Sequence, residues 1–277
     1  MKNSTYIKRL IAQSLEEDLG TGDITTASVV PAGTMVSGSF IARQQGIICG
    51  TDIAAMVFLT LDPSIKMEIA VSDGHKVNPG DEIAHISGSA PGILSGERLA
   101  LNFMQRLSGI ATNTAFYVSQ VAGTSTKIVD TRKTTPGLRV LEKYAVKTGG
   151  GGNHRMNLSD GVLIKDNHIK AAGGIRQAVE AARKNAPKTL KIEVETETLD
   201  QVDQALEAGA DIIMLDNMAI ETMRKAVEKI GGRALTEASG NMDSKNLSAV
   251  AATGVDMISV GALTHSVKAL DISLKLH

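Results

Sequence analysis

Between Asp130 and Lys170 the chain collects eight Lys and Arg residues against four acids, although its formal net charge is −1. The bases are Arg132, Lys133, Arg139, Lys143, Lys147, Arg155, Lys165 and Lys170, set among Gly149 to Gly152 and two histidines, His154 and His168. Positive charge concentrated beside small residues is the composition of a pocket for a polyanionic small molecule. Other chemistries fit less well. The glycine run matches neither the P-loop nor the dinucleotide fingerprint, because it lacks G-K-[ST] and a terminal Gly at the required offset. A flexible loop is its plainer reading. The two histidines are not four residues apart and have no Cys or third His nearby, which argues against zinc.

These residues need elements to position them. Short apolar runs recur at 127–130, 161–165, 191–195, 212–216, 234–239 and 257–261, with amphipathic helices at 175–185, 199–208, 219–230 and 244–252. Strand, helix, strand requires parallel crossovers, so this half is α/β and barrel-like. In such a barrel the strand C-termini open onto the face that hosts chemistry. That rule brings together Asp130 with Arg132 and Lys133, then Lys165, Glu195, Asp216, Ser239-Gly240-Asn241 and Gly261. Bases come first, carboxylates next, small residues last. Late glycines and serines suit a phosphate cradle. The carboxylates suit ribose hydroxyls, or a Mg²⁺ that itself holds phosphates. A lone acid at a strand end is more often a cap or salt-bridge partner; the coincidence along consecutive strands favours a site.

The first half reads differently. Residues 4–17 have helical spacing behind a Ser4 or Thr5 cap, and D-L-G-T-G-D-I-T-T at 18–26 reads as a tight loop. Met35 to Gly50 is strand-like, Asp52 to Leu61 helical. Residues 66–88 alternate around turns at Asp73-Gly74 and Asn78-Pro79-Gly80, giving an antiparallel region. Carrier domains use such hairpins to present a modifiable Lys, and neither tip has one. Glu97 to about Val121 is the longest helical pattern, expected to bridge two domains, with Gly109 dividing it or allowing close packing.

With no Trp, three Tyr and four Phe, the core must be aliphatic. Few aromatic platforms and a slightly acidic balance argue against nucleic-acid binding. Cys49 is the single cysteine, which precludes an intrachain disulfide and a thiolate cluster. No secretory apolar segment and no run of 18 apolar residues is present, so a cytoplasmic protein without membrane association is expected.

Several of these segments together resemble one family. E-D-L-G-T-G-D-I-T-T at 17–26, E-R-L-A-L-N-F at 97–103, L-S-G-I-A-T at 107–112, D-T-R-K-T-T-P-G-L-R at 130–139, the G-G-G-x-N-H-R run ending at 155, K-D-N-H at 165–168, I-E-V-E at 192–195, L-D-N at 215–217, E-A-S-G-N at 237–241 and I-S-V-G-A-L-T-H-S at 258–266 are similar, in order, to the quinolinate phosphoribosyltransferases. The resemblance implies an N-terminal α/β sandwich domain over 1–108, joined by 265–277, and a C-terminal open, TIM-like α/β barrel over 109–264. It implies transfer of phosphoribosyl from phosphoribosyl pyrophosphate to quinolinate with decarboxylation, Mg²⁺ as cofactor, and a homodimer or multiple of dimers with shared sites. Arg132, Lys133, His154, Arg155 and Lys165 map to the quinolinate pocket, and Arg98 to a residue donated by the partner subunit. Glu195 and Asp216 map to ribose and Mg²⁺, and Ser239, Gly240, Asn241 and Gly261 to the 5′-phosphate. Lys133, Lys165, Glu195 and Asp216 are the implied catalytic groups. Lys147-Thr148 replaces a frequent Arg-Cys. The rival readings are a homologous accessory protein of molybdate transport and a phosphoribosyltransferase acting on a monocarboxylate such as nicotinate.

Overall fold

A computed structural model describes residues 5–277. Its elements begin with α1 (Thr5–Leu19), α2 (Ile24–Val29), β1 (Met35–Ala42), β2 (Gly46–Ile47), α3 (Thr51–Leu61), β3 (Lys66–Ile69), β4 (Lys76–Val77), β5 (Glu82–Ser89) and α4 (Ala90–Gln120). They continue with β6 (Lys127–Val129), α5 (Arg139–Thr148), β7 (Val162–Ile164), α6 (Asp166–Ala172), α7 (Ile175–Asn185), β8 (Ile192–Thr196) and α8 (Leu199–Glu207). The last are β9 (Ile212–Asp216), α9 (Ile220–Ile230), β10 (Leu235–Ser239), α10 (Leu247–Ala251), β11 (Met257–Ser259), α11 (Ala262–His265) and β12 (Ile272–Leu276). Two compact units result: residues up to 115 with 147–149 and 267–277, and residues 116–146 with 150–266.

In the first unit an antiparallel sheet has the order β12-β1-β5-β3, with β2 and β4 paired separately. Ile7, Ile11 and Leu15, four residues apart, bury one face of α1. Phe40 of β1 and Phe58 of α3 meet with ring centroids 6.1 Å apart. The Ser4 cap lies outside the described residues. Within the 18–26 segment, the Asp23 carboxylate accepts the Thr26 N–H at 2.9 Å and caps α2, so Thr25 and Thr26 are helical rather than looped. Asp73 does more than turn the chain. Its carboxylate accepts the main-chain N–H groups of Gly50 and Thr51 and the Thr51 hydroxyl, anchoring the start of α3. The alternating stretch is antiparallel through β3 and β5, whereas two-residue β4 reaches back to β2. Helix α4 starts at Ala90, earlier than its apolar periodicity suggests, because Pro91 in the first turn forfeits no helical hydrogen bond. Gly109 is a point of close approach, not a break: a Cβ there would lie 2.1 Å from the Lys268 carbonyl oxygen.

The second unit carries six parallel strands in the order β6-β11-β10-β9-β8-β7. Its end strands β6 and β7 do not pair with each other, so the sheet is open. It is nonetheless rolled, since Lys133 after β6 and Lys165 after β7 line one cavity. Ile213, Met214 and Leu215 of β9 are all buried, as expected where helices cover one face and the rolled interior the other. The six strands and four crossover helices fall where the sequence places them, except that α10 is shorter and begins after an Asn246 cap. Helices α5 and α6 were not foreseen. In α5 the buried face includes Glu142 and Lys143, whose charges obscure the apolar pattern. Among the described residues no helix is long and apolar enough to cross a membrane.

Candidate active site

The loop after β6 is built from the inside outward. Asp130, fully buried, accepts hydrogen bonds from the Lys143 ammonium, the Asn153 side-chain amide and the His154 main-chain N–H. Lys143 also donates to the His154 carbonyl at 3.0 Å. Burial raises the Asp130 pKa and lowers that of Lys143, and their contact opposes both shifts. Asp130 is therefore an internal brace, not a rim group. Arg139 serves similarly: its Nε donates to the Thr134 hydroxyl at 2.9 Å and one terminal nitrogen to the Met156 carbonyl at 3.2 Å. Glu142 accepts the Thr135 N–H at 3.0 Å. With the loop so held, Arg132 and Lys133 face the cavity, and Arg132 Nε is buried without a hydrogen-bond partner.

The cavity has a volume of about 620 Å³. Of the residues expected at the site, Arg132, Lys133, His154, Arg155, Lys165, Asp216, Ser239, Gly240, Asn241 and Gly261 line it. Glu195 stands just behind, accepting from Lys165 Nζ at 2.5 Å. His168 does not line the cavity; its Nδ1 accepts the Lys165 N–H at 2.9 Å and so fixes the start of α6. Lys147 is exposed and is not among the residues lining this cavity. Arg98 lies on α4 in the other unit, where it lines a separate hollow with Asp18, Gly22, Asp23 and Ser95.

Elsewhere around the cavity the ends of β9 and β10 interlock. Asn217 and Asn241 both have φ of 54°, a left-handed conformation uncommon outside glycine. Asn241 Nδ2 donates to Asn217 Oδ1 at 3.2 Å, and Asn217 Nδ2 to Asp216 at 2.7 Å. Gly240, at φ +88°, lets Asn217 approach: a Cβ would fall 2.2 Å from Asn217 Oδ1. Strained backbone maintained by mutual hydrogen bonds is characteristic of ligand-holding loops. Asn217 was missed as a site residue, although it stands in the L-D-N segment.

The other omission is acidic. His154 Nε2 lies 3.0 Å from Glu193 and 3.4 Å from Glu237, both buried. Burial lowers the His154 pKa, but the hydrogen bonds and charges of the two glutamates outweigh it and raise it to about 10. Burial also raises Glu193. The Arg155 main-chain N–H, which points at His154 Nδ1 from 2.8 Å, favours an unprotonated Nδ1 and so opposes the rise at His154. Glu193 is two residues before Glu195 and so projects to the same side of β8. Among the described residues this trio alone has the donor spacing of a metal site, with ligand atoms within 4.8 Å of one another.

This arrangement agrees with comparisons to known proteins. Residues 23–108 match the family model for the quinolinate phosphoribosyl transferase N-terminal domain, and residues 110–275 that for its C-terminal domain. A probable nicotinate-nucleotide pyrophosphorylase (carboxylating) of Bacillus subtilis is 46% identical over 272 residues, covering 98% of this chain and 94% of the relative. The crystal structure of nicotinate-nucleotide pyrophosphorylase from Ehrlichia chaffeensis superposes with a TM-score of 0.94 at 41% identity, covering 100% of both chains. The Francisella tularensis enzyme of the same name gives 0.92 at 43%, covering 98% of this chain and 96% of that one. Human nicotinic acid phosphoribosyltransferase, at 13% identity and a TM-score of 0.60, shares the fold alone. With both domain models matched and relatives aligned along nearly the whole length, the chain belongs to the quinolinate phosphoribosyltransferase family.

Proposed function

We propose that this protein transfers the phosphoribosyl group of phosphoribosyl pyrophosphate to quinolinate, releasing pyrophosphate and CO₂ and leaving nicotinate mononucleotide. The observation that carries this reading is that one cavity gathers the cations Arg132, Lys133, Arg155 and Lys165 together with Asp216, Ser239, Gly240, Asn241 and Gly261, the last beside Lys133. Adjacent carboxylates on quinolinate call for several cations, and guanidinium forks grip carboxylates bidentately. His154 belongs to the wall of the same pocket. The small residues at the ends of β10 and β11 suit a 5′-phosphate, and Asp216 and Glu195 suit ribose hydroxyls.

In this reaction the pyridine nitrogen attacks ribose C1 as pyrophosphate departs, and positioning with charge stabilisation supplies most of the catalysis. Lys133 and Lys165 are the cations that would stabilise the departing charge. The ring nitrogen becomes cationic, so the electron pair left at C2 when CO₂ leaves is stabilised until a proton is taken up. Mg²⁺ fits the hard oxygen donors Glu195 and Asp216, which leave room for water and substrate phosphates, better than it fits the imidazole-containing trio. When bound there it would neutralise pyrophosphate charge.

Arg98 is proposed to act in the site of a partner subunit within a homodimer or a multiple of dimers. Supporting this, Ile24 lines the Arg98 hollow while 76% exposed, an apolar surface that a partner would cover. A cytoplasmic location accords with the substrates. The test is incubation with Mg²⁺, phosphoribosyl pyrophosphate and carboxyl-labelled quinolinate, with nicotinate in a parallel arm. Labelled CO₂ release that depends on phosphoribosyl pyrophosphate is expected; its absence overturns the reading.

A further inference from the structure

Glu193 and Glu237 have no part in the reaction just described, yet Glu237 lines the floor of its cationic pocket and Glu193 lies beneath it. Glu193 is 3% exposed and Glu237 fully buried. One carboxylate oxygen of Glu193 and one of Glu237 lack any partner, and the other Glu237 oxygen has only the His154 Nε2 contact at 3.4 Å, so the pair is costly where it stands. Buried negative charge beside a site for a dianion also opposes binding. What the pair does contact is His154, and every polar atom of that residue is engaged. Its main-chain N–H and carbonyl are held by Asp130 and Lys143, its Nε2 faces Glu193 and Glu237, and its Nδ1 accepts the Arg155 N–H. No ring nitrogen remains for a substrate. Arg155, the next residue, is steadied at its far end by the Gly161 carbonyl at 2.9 Å.

We propose that Glu193 and Glu237 are positioning residues of the dicarboxylate pocket, which act through the His154 imidazole to set the Arg155 main chain and guanidinium. His154 is then a spacer rather than a substrate ligand. This rests on the reading that the pocket takes quinolinate.

Glu193→Gln, Glu237→Gln, His154→Gln and the Glu193→Gln/His154→Gln double variant test it, by steady-state kinetics and by calorimetric titration with phthalate. Glu193→Gln and His154→Gln are each expected to raise the quinolinate KM roughly tenfold, the loss of about one charged hydrogen bond, and Glu237→Gln, which weakens an ion-pair contact at 3.4 Å, to raise it in the same direction. Phthalate binding should weaken in parallel, with the phosphoribosyl pyrophosphate KM within about twofold of wild type. Because the residues act in series, the double variant should be no worse than the weaker single. The proposal is overturned if folded Gln variants keep the wild-type quinolinate KM, if they bind phthalate more tightly, if both substrates suffer equally, or if the double variant is additive. Stoichiometric Zn²⁺ binding lost in Glu237→Gln would also overturn it, by making the trio a metal site. Should a glutamate variant not fold, His154→Gln carries the same expectation. A wild type that binds phthalate but releases no CO₂ would sink the functional reading alone.

Discussion

Arg132 has a buried Nε with no partner, so a ligand oxygen is its natural complement. A charge-assisted hydrogen bond contributes about 1.5–3 kcal/mol, and Arg132→Ala should therefore lower kcat/KM for quinolinate at least about tenfold. An unchanged value would remove Arg132 from the pocket. Lys143 belongs to another class: Lys143→Met leaves the buried Asp130 carboxylate without its cation and should cost about 3–5 kcal/mol of stability, read from urea unfolding. A shift under about 1 kcal/mol would show that the pair is not structural. Rim residues such as Lys165, Asp216 and Ser239 were legible because a strand that ends in a polar residue declares its own mouth. Glu193 and Glu237 were not. Their meaning depends on His154, 39 residues before Glu193, and no local pattern encodes a contact at that distance.

Elements were most legible where burial is one-sided or complete. The parallel strands read as short apolar runs and α7 to α9 as amphipathic stripes, and their limits agree with the structure to within a residue or two. Helix α5 was hidden because the face it buries carries an ion-paired Lys and a loop-binding Glu, so hydrophobicity points the wrong way. Helix α6 was hidden because none of its residues is buried. Local capping decides limits where packing does not. Thr198 Oγ1 accepts the Gln201 N–H at 3.2 Å, and Gln201 Oε1 accepts from Glu197 and Thr198, closing a capping box at α8. Thr198→Ala should cost about 1 kcal/mol, visible as a lower Tm with unchanged kinetics. A stability equal to wild type would mean that packing alone fixes that helix start.

At the scale of the molecule, the test of assembly is complementation. If Arg98 acts in a partner's site, mixing inactive Arg98→Ala and Lys165→Ala subunits should restore part of the activity, since one hybrid site keeps both residues. Mixed dimers that form and stay inactive would refute sharing. Each unit has its own sheet, but only the second builds its main sheet from strands that are consecutive in sequence, β6 to β11. In the first, β1 pairs on one side with β5 and on the other with β12, which follows the whole six-stranded sheet in sequence. During synthesis this leaves the outer edge of β1 unpaired while every barrel strand is being translated, an interval in which a nascent chain is open to strand addition by its neighbours. Emergence of β12, rather than completion of the six-stranded sheet, then sets the moment at which the first unit is protected.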